Sequence, residues 1–230
     1  FSASVALSNK IDNLMGLFSV GKIPTGSKDP FGLRRSAAGI VKIAIEHKLP
    51  LDFAAIISQL SVNYPNLDQK ALVDFFNERL FKIFDVNPSV LKAVLSSGET
   101  NVYNISQKLC ALNPIVLSSD FKEYSATFKR VANIIKDINT DVKLDINPDL
   151  FEEVAEEELY QSYVSVTSKK YVTYDEELEA LFGLKPHLDK FFDDVFVNHD
   201  NANIKTNRKN LIGLVYQAFK NIADIKEITI

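Results

Sequence analysis

The chain has 230 residues, 46% hydrophobic and 24% charged, a balance that excludes a disordered chain and fits a soluble globular protein of one large or two ordinary domains. Its single cysteine, Cys110, excludes an internal disulfide and offers no metal-ligand cluster, as expected of a cytoplasmic protein, and no apolar run approaches the roughly 20 residues that cross a bilayer. With 26 basic against 30 acidic residues the net charge is −4, so any contact with a nucleic acid has to be local.

Helical periodicity dominates from the start, and no sustained strand pattern or internal repeat interrupts it, so the expected fold class is all-α. Ile11, Leu14, Met15 and Phe18 recur at three- and four-residue steps, and Ile40, Ile43 and Ala44 continue the pattern in a second, antiparallel helix. Between them Pro24 to Arg35 spends two prolines, two glycines and four charges on one connector. Asp29-Pro30 reads as an N-cap followed by the first residue of a helix. Arg34 and Arg35 then present two guanidiniums, suited to a carboxylate or phosphate and equally to a structural clamp on an acidic neighbour.

Residues 52 to 61 and 68 to 85 give two more helices, the second with Leu72, Phe75, Phe76, Leu80 and Phe84 at core spacing. Asn87-Pro88 starts a short helix through Leu95, and another follows Gly98 to Ala111. Asn113-Pro114 is the expected boundary between a first domain, 1–113, and a second, 114–230.

The second half opens with a helix near Asp120, whose apolar stripe is Phe121, Tyr124, Phe128, Val131, Ile135 and Ile138. Residues 139 to 148 read as loop, Asn147-Pro148-Asp149 as the start of an acidic helix, and Tyr163 to Thr167 alternates enough to leave a strand open. Shorter helices follow at Asp175 to Phe182 and Leu188 to Phe196, and a last one runs from about Asn203 to Ile225. Glu152, Glu153, Glu156, Glu157 and Glu158 crowd one helix and Asp175, Glu176, Glu177 and Glu179 the next, a surface that repels phosphate, so an RNA-facing side should lie elsewhere.

Opposite the apolar stripe of the Asp120 helix, Lys122, Lys129 and Lys136 recur every seven residues, with Asn133 beside them and Arg130 nearby. Such a row can track phosphates while Asn133 meets a base edge, or it is simply a solvated face. Lys205, Lys209, Tyr216 and Lys220 repeat the idea on the last helix, with Tyr216 placed to stack on a base. Arg208 sits at the margin of that helix's apolar face, a structural partner for a carboxylate such as Asp193 or Asp194. Adjacent Phe191 and Phe192 cannot both face one core, so one is expected at the surface. No phosphate-cradling glycine loop, nucleophile motif or metal spacing is present, and His47, His187 and His199 stand alone, so neither catalytic nor metal-binding residues are assigned.

The run ALSNKIDNLMGLFSVGKIPTGSKDPFGLRR, Ala6 to Arg35, resembles the signature of the β subunit of bacterial two-subunit glycyl-tRNA synthetase. FKRVANI at Phe128, INPDLFEEVAEEELY at Ile146, LKPHLDKFFDDVFV at Leu184 and NRKNLIGL at Asn207 follow in the family's order across nearly the whole chain. The resemblance implies a C-terminal fragment, in keeping with a chain that begins at Phe1: the end of an HD-like helical domain, then a DALR-type anticodon-binding bundle. It implies tRNA-Gly and the α subunit of an α2β2 ligase as partners, with no DNA or membrane, and no cofactor in this chain, ATP and Mg being bound with the active site on the α subunit. The alternative is a degenerate HD-type phosphohydrolase or a purely structural helical scaffold. Against hydrolysis, the resemblance puts Asn9 where the HD motif closes with an aspartate, and Asn lacks the anionic charge of a good metal ligand.

Overall fold

A computed structural model describes residues 2–119, 121–140 and 142–229. Among them the chain is all-α, with two isolated β-bridges and no strand, and no helix is long and apolar enough to cross a membrane. It forms two compact units, Phe1–Leu91 with Gly98–Gln107, and Lys92–Ser97 with Lys108–Ile230. The chain passes between them within α5 (Pro88–Ser96), again after Ser97 and a third time within α6 (Val102–Leu117), the helix that also contains Asn113-Pro114.

In the first unit α1 (Ser2–Ser19) packs on α2 (Leu33–Glu46), and α3 (Phe53–Leu60) and α4 (Gln69–Ile83) close the core. Leu14, Met15, Ile40 and Val41 are fully buried, Phe18 meets Phe75 at 5.2 Å between ring centroids, and Phe53 stacks on Phe76 at 3.7 Å. The connector from Pro24 to Gly32 is built differently from the sequence expectation. The second helix begins at Leu33 rather than Pro30, because Gly32 takes a left-handed φ of 67° that a side chain disfavours. Asp29 still caps the helix across that gap, its carboxylate accepting from Leu33 N at 2.8 Å and Arg34 N at 3.0 Å.

The second unit is arranged around its last helix. It contains α7 (Phe121–Ile134), α8 (Val154–Thr167), α9 (Tyr174–Phe182), α10 (Lys185–Asp194) and α11 (Ala202–Lys220). The helix start expected at Asp120 lies outside the described residues. Tyr163 to Thr167 is helical rather than a strand, and Asn147 opens a single 3-10 turn, Pro148–Leu150, with the acidic helix beginning later at Val154. Rings of Phe128, Phe182 and Phe219 join α7, α9 and α11 with centroids 4.8 to 5.5 Å apart. Both Phe191 and Phe192 are buried after all, since Arg130 of α7 lies 4.4 Å over the Phe192 ring and shields it from solvent.

The irregular segment after α7 owes its course to α11. Gln217 donates to the carbonyls of Thr140 and Val142, both at 2.8 Å, and Asn210 to that of Asp145 at 2.9 Å. Asn207 donates to the Asn147 carbonyl at 3.0 Å and accepts from its N–H at 2.8 Å. Side-chain amides thus replace the missing ladder for backbone groups that need partners. Leu144 seats directly over Gly213, where an added Cβ would fall 2.5 Å from its Cδ1.

Candidate nucleic-acid interface

Helix α7 keeps one face on the core and turns the other outward. Phe121, Phe128, Val131 and Ile135 are buried, whereas Lys122, Lys129, Asn133 and Lys136 are exposed along α7 and the 3-10 turn that extends it. Among the described residues none of these lysines forms an ion pair. At 1.5 Å rise per residue, a seven-residue step sets successive ammoniums on a line roughly 10 Å apart. Arg130 is engaged: its guanidinium lies over Phe192, donates to the Phe192 carbonyl at 3.2 Å and reaches Asp193 at 4.0 Å.

Partly buried contacts tie α7 to α10. Thr127 Oγ1 donates to Asp189 at 2.7 Å, and Lys185 pairs with the other oxygen of that carboxylate at 2.5 Å. Burial alone would raise the Asp189 carboxyl, but the hydrogen bonds from Lys185 and Thr127 outweigh it and leave the group below its ordinary value.

The lysines expected on α11 do not form an equivalent face. Tyr216 is fully buried with Lys226 4.7 Å above its ring, so it is part of the core and offers no surface for base stacking. Lys209 is largely buried and pairs with Asp137 at 3.3 Å. Lys205 and Lys220 are half-buried, Lys220 beside Thr140 and Gln217 at the pinned loop. The physical reason is that α11 is enclosed on nearly every side, with Asn207, Leu211, Ile212, Gly213, Val215 and Phe219 all buried.

Arg208 is structural, as its position in the sequence suggests, but with other partners than Asp193 or Asp194. It donates to both oxygens of Glu156, from Nε at 2.9 Å and Nη2 at 3.0 Å, to Glu152 at 3.1 Å and to the Phe196 carbonyl at 3.1 Å. Glu156 also accepts from the N–H groups of Glu152 and Glu153, each at 3.0 Å, capping α8. Burial would push the Glu156 carboxyl up, yet the Arg208 hydrogen bond and those two N–H groups together hold it below the usual range. Glu156 followed Glu153 at capping-box spacing, a signal in the sequence that could have found this role. His199 completes the cluster, 3.4 Å from Glu152.

In the first unit Arg34 donates to the Gly26 carbonyl at 2.6 Å and so braces the connector, while Arg35 is exposed beside Gly32. Asn9 accepts from Asn13 at 3.0 Å on the outer face of α1. Among the described residues no group of three or more His, Cys, Asp or Glu could hold a metal ion.

Fold and surface together define an all-helical protein of two compact units, the second carrying a local cationic face on a body whose net charge is negative. Residues 1–96 match the family model described as glycyl-tRNA synthetase beta subunit. The chain is 40% identical over 238 aligned residues to the glycine--tRNA ligase beta subunit of Helicobacter pylori (strain Shi470), covering 100% of this chain and 34% of that protein. Subunits of the same description from Sulfurihydrogenibium sp. (strain YO3AOP1) and Methylobacillus flagellatus are 31% and 35% identical, over 97% of this chain and 32% and 34% of theirs. The chain belongs to the glycyl-tRNA synthetase β-subunit family and spans about a third of the length of these curated relatives.

Proposed function

We propose that the second unit is the anticodon-binding part of a glycine–tRNA ligase β subunit, and that it meets tRNA-Gly through Lys122, Lys129, Asn133 and Lys136. The observation that carries this reading is the exposed row of three ammoniums along α7 and its 3-10 extension, none in an ion pair among the described residues, in a chain with β-subunit relatives. Lysines fix register on phosphates, and Asn133 between them is of the right chemistry to donate to and accept from an unstacked base edge. The fragment supplies binding and not bond-making. Glycine activation with ATP and Mg belongs to the α subunit of the α2β2 complex, in the cytoplasm, and this chain positions the tRNA for it.

Arg130, Lys205, Lys209 and Lys220 are secondary at most, because each is engaged or partly covered. Arg34 and Arg35 are better read as architecture, Arg34 being spent on Gly26. In the complete ligase, Lys129→Glu with Lys136→Glu is expected to weaken tRNA-Gly binding at least tenfold at moderate salt, read by filter-binding titration. Unchanged affinity would remove α7 from the footprint.

A further inference from the structure

A second surface of the same unit has the opposite character. Between the end of α6, the start of α7 and α9 runs an open groove of about 550 Å³. Pro114, Ile115, Tyr124 and Phe182 supply its apolar lining, the last two with ring centroids 4.8 Å apart in an edge-to-face arrangement. Asp175 and Glu179, one turn apart on α9, also line it, and both are exposed without an ion-pair partner among the described residues. Leu117, three residues beyond Pro114 on α6, is 71% exposed.

We propose that this groove docks a protein segment that is apolar on one side and carries lysine or arginine beside its apolar residues. Charge complementarity selects that occupant. The apolar lining gains by covering, while Asp175 and Glu179, in no ion pair among the described residues, favour cations and would repel the phosphates of an RNA strand. Around α7, Tyr124 points some 140 to 160° away from Lys129 and Lys122 at 100° per residue, so the groove and the lysine row serve different partners. An open groove lined by Ile115, Tyr124 and Phe182 suits an amphipathic helix laid along it, with leucine-like anchors between those side chains. The inference does not rest on the RNA reading.

The test uses the 230-residue chain and two fluorescent synthetic helical peptides with leucines at three- and four-residue spacing, one flanked by lysines and one by glutamates. Anisotropy should show the lysine peptide binding at least tenfold more tightly than the glutamate peptide, and Asp175→Asn with Glu179→Gln should remove about tenfold of that affinity. Glu157→Gln, on the neighbouring acidic helix α8, should leave it unchanged. Equal binding of the two peptides, binding of neither, a similar loss in Glu157→Gln, or displacement of the lysine peptide by a single-stranded RNA oligomer would each overturn the proposal.

Discussion

Arg208→Met is expected to lower the free energy of unfolding by about 3–5 kcal/mol, as measured by urea denaturation, since it strands a buried carboxylate. The Arg208 side chain is 3% exposed and Glu156 not at all, so water cannot replace the lost guanidinium. Cost resides in the uncompensated charge rather than in the attraction of the pair, so Arg208→Met combined with Glu156→Gln should recover most of it. Glutamine retains an acceptor for the N–H groups of Glu152 and Glu153, which keeps the α8 cap. A loss below about 1 kcal/mol for Arg208→Met, or a double variant as unstable as the single, would contradict this account of the cluster. The same cluster sets an acid limit. Because the folded-state pKa of Glu156 lies below its ordinary 4.5, its stabilisation is fully present above pH 4.5 and is lost as pH falls through the folded value. Glu156→Gln should therefore flatten the dependence of stability on pH below about 4.5, while Arg208 stays charged throughout.

Replacing Lys122, Lys129 and Lys136 together by alanine should change how tRNA binding responds to salt as well as its strength. Each ammonium that neutralises a phosphate releases counterions, with a slope of about 0.7 in log K against log salt per contact on single-stranded RNA. Three such contacts predict that the slope for the complete ligase becomes shallower by about 2. Lys209→Ala, which breaks an internal pair with Asp137, should leave the slope nearly untouched. A triple variant with the parental slope would mean that these lysines face solvent only.

Most helices were legible because their apolar spacing is regular, as in Ile11, Leu14, Met15 and Phe18, all buried as expected. The exposed half of the candidate interface was legible for the same reason: the lysines fall opposite a stripe of which Phe121, Phe128, Val131 and Ile135 are buried and Tyr124 and Ile138 half-buried. On α11 periodicity misled. A single helix pattern identifies the most apolar side but does not show how many neighbours enclose the rest: Tyr216 is fully buried, with Lys226 over its ring, and Lys209 pairs with Asp137, 72 residues earlier. Arg208 illustrates the limit from the other direction, because its position demanded a carboxylate, yet the partner came from α8, 52 residues earlier. Asn207, Asn210 and Gln217 looked like ordinary polar positions, since nothing local reveals that a loop's carbonyls and N–H groups will come to rest on them.

Position-specific photocrosslinking in the complete ligase addresses the RNA face most directly. Benzoylphenylalanine at Lys129 is predicted to crosslink to the anticodon arm of tRNA-Gly, and the same group at Glu179, on the acidic rim of the groove, to give no RNA crosslink. Crosslinks from Glu179, none from Lys129, or crosslinks from Lys129 to the acceptor end would contradict the assignment of α7 to the anticodon.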